Sequence, residues 1–550
     1  MELMVASRIL SSRGDRVLSP GAGRILLLVA GLMVSCAGMA QAVEPNAGKK
    51  NVFSVMEYQV TGNTVLPAVR IENAVYRYLG EERSIADVES ARAALEKEYH
   101  DAGYLTVLVD IPEQSVAGGV VKLNVTEGSV EKVRVVGSHY FSLSRILSRV
   151  PELAEGSVPY FPGLQRQMAD ANSAADLKVT PVLRPGRTPG KVEAELKVED
   201  QLPFHASIEL NNHASPNTSA LRLAGMVRYD NLWQREHSLA LQYQTSPQKV
   251  DEVKVLSGTY LMPIENSDNK LAYYAVVSRS NVAALGDLSV LGRGNIAGVR
   301  WVIPLPSREN LFHTLTLGAD YKHFMDELLL AGANTGHTPI TYLPFSLAYS
   351  ASMPDEAGVN AANVTLNFNL RGVGDRMTEC NGQITSEFEC KRFNAKPDYL
   401  YLRGGVERTH SLPHGLAFFA RLDAQLASGP LISNEQFTAG GADSVRGYYE
   451  AEQAGDDGAR GSLELRGPQW GRRAVSELRP VVFLEGAHLR VRDPLATQTA
   501  AFNLASTGVG LRMQAWKSFT MGLDAAWPLK DTSFTQAGKA RFGFKAVGAF

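Results

Sequence analysis

A glycine-rich stretch, Phe437–Tyr449, carries a single arginine, Arg446, flanked by Val445, Gly447 and Tyr448. A guanidinium group is planar, always charged and able to form two parallel hydrogen bonds with one carboxylate. The residue types therefore favour an ionic contact with an acidic side chain elsewhere in the chain. Because Arg-Gly-Tyr also occurs in ordinary exposed turns, the role of this stretch depends on the elements around it.

Two of the three cysteines, Cys380 and Cys390, lie close together, and Gly, Asn, Thr and Glu residues surround them. The third, Cys36, lies within residues 1–42, which are predicted to be a signal peptide that is removed on export. In an exported protein such a close pair predicts a disulfide that closes a loop and contributes roughly 2–3 kcal/mol in the chain-entropy model. A metal site would need further ligands nearby, and the local sequence offers none. We expect a disulfide and no metal site, with two free thiols as the alternative.

Motifs of the common enzyme classes do not occur in this sequence. It contains no G-x-x-x-x-G-K-[ST], no H-E-x-x-H and no G-x-S-x-G, which argues against nucleotide hydrolysis, zinc proteolysis and serine esterase activity. The formal charge of −2 argues against a nucleic-acid binder. We therefore expect neither an enzyme nor a bound cofactor.

Residues 1–42 have the pattern of a secretory signal peptide. Basic residues precede an apolar run, Ile25–Val34, and small residues follow it up to Ala42. The run is too short to span a bilayer, although a membrane anchor and a lipoprotein site at Cys36 are alternatives. The mature chain is expected to begin at Val43, with residues 43–52 as a short N-terminal segment.

Residues 53–200 alternate short strand and helix patterns in two related units of about 75 residues each, 53–128 and 129–200. Within the first unit, Ser84–Asp87 has capping-box spacing and predicts the start of a helix. The apolar residues of this helix recur at helical intervals: Ile85, Val88, Leu95 and Tyr99. Repeated small modules of this kind usually bind a partner.

From Pro203 to Phe550, apolar and polar residues alternate in segments of about ten residues, with no long helical pattern. In segment 519–527, for example, alternate residues are apolar: Phe519, Met521, Leu523, Ala525 and Trp527. The alternation fits a membrane barrel with lipid outside and water inside, and a soluble sandwich is the alternative. Counting turns predicts about sixteen antiparallel strands, an even number that places both ends in the periplasm. Three scattered histidines are expected to be lumen or girdle residues rather than ligands: His205, His213 and His488.

Turn lengths alternate along the predicted barrel. Short turns such as 265–269 and 306–310 are typical of the periplasmic side, whereas the long segments 372–398 and 428–460 are typical of outer loops. The chain ends in an alternating strand with a terminal aromatic residue, Phe550. This ending resembles the signal by which the outer-membrane assembly machinery recognises the barrels that it inserts.

Three segments of the first unit are similar to motifs of POTRA domains: Tyr58–Asn63, Tyr99–Tyr104 and Leu123–Gly128. The second unit resembles another POTRA domain. Together with the barrel and the Val445–Tyr448 motif, they resemble the TpsB transporters of two-partner secretion, the haemolysin secretion/activation family of the BamA-like superfamily. The resemblance implies an outer-membrane β-barrel of a Gram-negative bacterium, preceded by two small periplasmic α/β POTRA domains.

The resemblance also implies a site. In that family the loop that bears this motif, residues 429–460 here, folds back into the barrel lumen, and its arginine meets an acidic residue on a later strand. The matching positions are Arg446 and Glu485, where the family usually has Asp, so we expect a loosened or shifted contact. In a solvated lumen such a pair would contribute only about a kcal/mol. Residues 43–52 are too few for the family's plug helix and its linker at ~1.5 Å per helical residue.

The implied function is the secretion of an unfolded, β-rich partner, a haemolysin-like or adhesin-like TpsA exoprotein that the POTRA sheet edges receive. Further expected partners are outer-membrane lipid and the assembly machinery that inserts this barrel. An outer-membrane assembly factor is the first alternative, although two POTRA units are few for that role. A passive porin is the second alternative and leaves residues 53–200 unexplained.

Overall fold

The structure is a computed structural model that describes residues 52–550, except 117, 266, 281, 286–287, 292, 309, 331–332, 371, 374–375, 381 and 473–474. The predicted signal peptide and residues 43–51 of the N-terminal segment lie outside the described residues. The chain divides into two compact units between Leu202 and Pro203. Within the described part, none of the helices has the length and apolar character needed to cross a membrane.

The first α/β unit has a three-stranded sheet, a two-stranded sheet and two helices, packed around two buried apolar clusters. Its elements are β1 Phe53–Val55, β2 Glu57–Thr61, α1 Ala68–Tyr76, β3 Gly80–Arg83, α2 Ile85–Asp101, β4 Val107–Asp110 and β5 Val120–Glu127. The three-stranded sheet has the order β2-β5-β4, with β2 parallel and β4 antiparallel to β5, and β1 pairs with β3 in the two-stranded sheet. Ser84 and Asp87 form the predicted capping box that starts α2. Leu95 and Tyr99 are fully buried, but Ile85 is exposed because it begins the helix, away from the packed face.

The second α/β unit repeats the topology of the three-stranded sheet. Its elements are β6 Ser129–Val136, α3 Leu143–Ser148, a 3₁₀ turn Pro151–Leu153, α4 Phe161–Ala171, β7 Leu177–Pro185 and β8 Lys191–Asp200, in the sheet order β6-β8-β7. Asp200 fixes the loop before α3, since the backbone N–H groups of His139 and Tyr140 donate to its Oδ2 at 2.8 and 2.7 Å. Although burial opposes ionisation, these hydrogen bonds hold the pKa of Asp200 below its usual value.

The second of the two compact units, Pro203–Phe550, consists mainly of strands. In chain order they are β9 Phe204–Asn211, β10 Arg222–Leu232, β11 His237–Thr245, β12 Lys254–Pro263, β13 Lys270–Ser278, β14 Val282–Leu285, β15 Leu288–Leu291, β16 Gly294–Pro304, β17 Phe312–Leu330, β18 Ala333–Tyr342, β19 Pro344–Asp355, β20 Gly358–Asn369, β21 Met377–Cys380, β22 Gln383–Ser386, then helix α5 Glu387–Lys391, β23 Leu400–Ser411, β24 Ala417–Ala427, β25 Phe437–Ala439, β26 Gln453–Gly455, β27 Asp457–Arg466, β28 Trp470–Arg472, β29 Val475–Arg490, β30 Ala501–Ala515, β31 Phe519–Pro528 and β32 Arg541–Ala549. The pairs β14–β15, β21–β22 and β25–β26 form small hairpins outside the main sheet.

The other strands close into an antiparallel barrel, which β32 seals by pairing with β9. Eighteen named strands of the described residues form the ring. β18 and β19 both pair with β17, and β27 and β28 both pair with β29. Each of these two pairs occupies one position in the ring, so the eighteen strands fill sixteen positions. Val482 and Leu484 are 54 % and 53 % exposed on the outer face of β29, whereas Phe483 between them is buried on the inner face. The predicted fold class is confirmed.

Candidate functional site

The connection between β24 and β27, residues 428–456, enters the barrel and is called the lumen loop below. It ends earlier than the predicted 429–460 because β27 already begins at Asp457. A 3₁₀ turn, Ser433–Glu435, precedes the hairpin of β25 and β26, and the tip of the loop lies between these two strands. At the tip, Gly440 and Gly441 both have φ of 107°, which glycine adopts without steric cost.

Arg446 makes the contacts that hold the tip of the lumen loop. Its backbone N–H donates to Glu485 Oε2 at 2.6 Å, and its Nε–H donates to Glu485 Oε1 at 2.8 Å. Its Nη2 donates to Glu464 Oε1 at 2.6 Å, and its Nη1 lies 3.4 Å from Asp524 Oδ1. The guanidinium carbon stands 3.5 Å from the centroid of the Phe483 ring. One arginine therefore contacts inward-facing side chains of β27, β29 and β31.

The contact between Arg446 and Glu485 is buried and tight. Only 6 % of Arg446 and 5 % of Glu485 is exposed. The expectation of a weak pair in a solvated lumen is therefore wrong, because the loop and the Phe483 ring cover the two charges. Loss of Arg446 would leave Glu485 as a buried carboxylate without a charged partner among its described contacts, at a cost of about 3–5 kcal/mol. Both oxygens of Glu485 accept from Arg446, so the contact is not loosened by the longer side chain.

The other three residues of the motif pack the tip against the barrel wall. Val445 is fully buried in an apolar cluster with five other residues: Phe437, Ala439, Tyr448, Leu489 and Leu504. Gly447 has φ of 91°, and a Cβ at this position would lie 3.2 Å from Ala526 Cβ. The Tyr448 hydroxyl lies 3.0 Å from the carbonyl oxygen of Ala505 in β30. Each residue of the motif thus has its own contact with the wall.

Glu435 anchors the first half of the lumen loop, and the sequence analysis did not identify it. Its Oε1 accepts from Lys322 Nζ at 2.7 Å and from the Tyr342 hydroxyl at 2.6 Å, and its Oε2 accepts from the Tyr401 hydroxyl at 2.7 Å. Only 3 % of Glu435 is exposed. These donors belong to β17, β18 and β23, a different set of strands from those that contact Arg446.

Asp456 anchors the other end of the lumen loop and joins it to the connection between β20 and β23. Its Oδ2 accepts from Arg392 Nη2 at 2.6 Å and from the Arg492 backbone N–H at 2.7 Å. Arg392 directly follows α5, and the structure joins Cys380 to Cys390 by a disulfide in the same connection. The disulfide-closed loop is therefore tied to the base of the lumen loop by an ion pair.

An apolar cap fills the space between these two loops and the neighbouring strand ends. It comprises Val253, Val255, Val276, Ile296, Phe324, Ile340, Tyr342, Phe388, Ala395, Tyr399, Tyr401, Ala427, Leu431 and Ile432. Phe388 comes from α5, and Leu431 and Ile432 come from the lumen loop. The apolar cap therefore packs the lumen loop against the disulfide-closed loop at the end of the barrel that carries the long connections.

Among the described residues, none of the three histidines forms a hydrogen bond or ion pair with Arg446. His205 on β9 is 3.3 Å from Asp230, and His488 on β29 is 2.8 Å from Asn503. His213 follows β9 in the connection to β10. All three belong to the wall or to a connection between wall strands.

Two protein families match this sequence. Residues 53–128 match the POTRA domain of the ShlB type, and residues 190–513 match the haemolysin secretion/activation protein family ShlB/FhaC/HecB. The second match covers more than half of the chain. The chain belongs to this family. As a haemolysin secretion/activation protein it is an outer-membrane transporter for protein secretion with its POTRA domain in the periplasm, as predicted.

Relatives of this haemolysin secretion/activation protein cover most of its length. The outer membrane transporter CdiB of Dickeya dadantii is 21 % identical, over 92 % of this chain and 88 % of the relative. The CdiB transporter of Escherichia coli O6:K15:H31 is 22 % identical, over 88 % and 81 % of the two chains. The heme/hemopexin transporter protein HuxB of Haemophilus influenzae is 19 % identical, over 86 % and 82 %.

Solved structures share the fold. CdiB from Escherichia coli superposes with a TM-score of 0.61 at 19 % identity, over 92 % of each chain. CdiB from Acinetobacter baumannii gives 0.55 at 14 % identity, over 93 % of this chain and 94 % of that chain. BamA from Haemophilus ducreyi lacking POTRA domains 1–3 gives 0.54 at 14 % identity, over 91 % and 100 %. At this level of identity the superpositions support the fold, and the family match makes the assembly-factor alternative the less favoured one.

Proposed function

We propose that this transporter exports one unfolded, β-rich exoprotein through the barrel lumen, and that the lumen loop must leave its docked position for the partner to pass. The observation that carries the proposal is the buried ionic cluster in which Arg446 meets Glu485, Glu464 and Asp524. Such a cluster holds a loop in one position inside the barrel without covalent attachment. Movement of the loop then requires only that these contacts break, and no nucleotide is consumed.

The two α/β units are proposed to receive the partner. Strand β2 lies at an edge of the first sheet, and β6 lies at an edge of the second. An edge strand has unpaired N–H and C=O groups, which can bind an extended polypeptide by strand addition. Deletion of residues 53–200 should therefore abolish export and leave the barrel in the outer membrane. Export at the wild-type level without these residues would show that the units are spacers.

The barrel itself is proposed to contact two further partners. Its outward apolar side chains, such as Val482 and Leu484, would face outer-membrane lipid. The assembly machinery would recognise Phe550. This residue is 79 % exposed, and its backbone N–H donates to Ala206 O at 2.8 Å, which holds the end of the chain against β9.

The test of the lumen loop is Arg446→Ala in cells that make the partner. We expect the amount of barrel in the outer membrane to be unchanged, since the strand ladder makes no use of Arg446. We expect the amount of exported partner to fall strongly, since without this contact the lumen loop is no longer positioned for its ordered movement between the docked and the displaced state. Arg408→Ala is the matched control, because Arg408 pairs with Asp355 away from the lumen loop. Wild-type export in Arg446→Ala would refute the role given to this residue.

A further inference from the structure

The seam that closes the barrel is short. Strands β9 and β32 share five facing residue pairs, from Ser207 with Ala549 to Asn211 with Lys545. The neighbouring pairings, β9 with β10 and β31 with β32, have eight each. The Asn212 side chain extends the seam, since its Nδ2 donates to Phe542 O and its Oδ1 accepts from Phe544 N, both at 2.8 Å. The seam therefore depends on contacts beyond its own ladder.

Residues 448–452 of the lumen loop contact both sides of this seam. On the β9 side, the Glu450 backbone N–H donates to Ala214 O at 3.0 Å. On the β32 side, the guanidinium of Arg541 stands 3.6 Å from the centroid of the Tyr449 ring. The Tyr448 hydroxyl lies 2.9 Å from the carbonyl oxygen of Lys530, in the connection between β31 and β32. One short segment thus bridges the connection that follows the first strand and the start of the last strand.

Glu452 provides the charged contact of this bridge. Its Oε2 accepts from the Thr535 hydroxyl and from the Tyr449 backbone N–H, each at 2.7 Å, and its Oε1 accepts from the Thr532 hydroxyl. Glu452 is 7 % exposed and Thr535 is 3 % exposed. A buried carboxylate needs its hydrogen-bond donors, because each donor offsets part of the cost of removing the charge from water. The lumen loop and the β31–β32 connection are therefore joined through Glu452.

We propose that Glu452 is a positioning residue that fixes the lumen loop to the β31–β32 connection and thereby holds the β9–β32 seam closed, a role separate from the export of a partner. The segment 448–452 contacts the seam only while it is docked. Release of Glu452 frees the outer end of β32. Among the described residues, its remaining ties to β9 and the residue after it are the five facing pairs, the terminal Phe550, Asn212 and the ion pair of Lys545 with Glu209 at 3.2 Å.

The test is hydrogen–deuterium exchange of the full chain in detergent micelles, measured for peptides that cover β9 and β32. In Glu452→Gln we expect exchange at these strands to rise by about tenfold to hundredfold, since hydrogen bonds to a charged group are among the stronger ones. Exchange in β19 and β20 should not change. Thr535→Val removes one of the two hydroxyl donors with little change in volume and should give a smaller rise at the same strands.

Glu435→Gln is the matched control, because Glu435 is likewise a buried carboxylate of the lumen loop but contacts the side of the barrel opposite the seam. Seam exchange in Glu435→Gln should equal that of the wild type. A disulfide between Ser207→Cys and Ala549→Cys, which face each other across the seam, should restore slow exchange in Glu452→Gln. Wild-type seam exchange in Glu452→Gln or Thr535→Val, or an equal rise in Glu435→Gln, would overturn the proposal.

Discussion

Replacement of Arg446 by methionine removes the guanidinium and keeps most of the apolar length of the side chain. The three carboxylates that contact Arg446 differ in the partners that they keep after this substitution. Glu464 keeps Arg466 at 2.8 Å, and Asp524 keeps Arg512 at 2.9 Å. Glu485 keeps only uncharged donors among its described contacts, the Ser462 hydroxyl at 3.0 Å and the backbone N–H of residue 446. The cost of the substitution should therefore fall mainly on Glu485.

The expected magnitude follows from that unpaired carboxylate. Removal of one partner of a buried ion pair costs about 3–5 kcal/mol, which corresponds to a factor of roughly 10²–10⁴ in the docking equilibrium of the lumen loop. The strand ladder of the barrel makes no use of Arg446, so the barrel should stay folded. In the double variant Arg446→Met, Glu485→Gln, no buried carboxylate is left unpaired, and most of the docking should return.

A buried thiol can report docking. Ser444 lies at the tip of the lumen loop and is 7 % exposed, so Ser444→Cys should react with a maleimide only when the loop leaves its site. We expect labelling about a hundredfold faster with Arg446→Met and close to the starting rate in the double variant. Arg408→Met, at an exposed pair with Asp355, is the control and should not change the rate. Equal labelling of the Arg446→Met single variant and the double variant would refute the reasoning.

Three further predictions rest on single positions. Gly447→Ala should raise labelling at residue 444 by about tenfold, since an alanine at φ of 91° costs about 1–2 kcal/mol and its Cβ would crowd the wall. The second α/β unit should lose stability as pH falls below about 4, because the folded-state pKa of Asp200 is lower than its unfolded value. In Asp200→Asn, the free energy of opening of this unit, measured by hydrogen exchange relative to the intrinsic exchange rate, should depend less on pH over that range. Replacing Cys380 and Cys390 by serine should lower the free energy of opening of the connection between β20 and β23 by roughly 2–3 kcal/mol. Protease should therefore cleave this connection faster, while the barrel stays unchanged.

Features with a local cause could be predicted from the sequence. The alternation in segment 519–527 is imposed by lipid on one face of β31 and by the lumen on the other, so it identifies a strand and its outward residues. The spacing of Ser84 and Asp87 identifies the start of α2 because both capping hydrogen bonds form within four residues. Arg446 and Glu485 were predicted from the resemblance to the family. Arg446 lies in the Val445–Tyr448 motif, and Glu485 occupies the position of the family's acidic residue on a later strand.

The rest of the site depends on contacts that no local pattern encodes. Glu464 and Asp524 occupy inward positions of their strands, but only closure of the barrel brings both to Arg446. Glu435 meets Lys322 more than a hundred residues away, a distance at which spacing in the sequence carries no information. The burial of the cluster was missed for a related reason, since the water content of the lumen depends on how completely the loop fills it.

The most direct test of the account compares the proteins of the medium, the cell surface and the outer membrane with and without this chain. The account predicts that one large exported protein disappears from the outside while the other outer-membrane barrels stay at their usual level. A general decline of barrel proteins would contradict it and would indicate an assembly factor, in which case the lumen loop could not be regarded as an export gate.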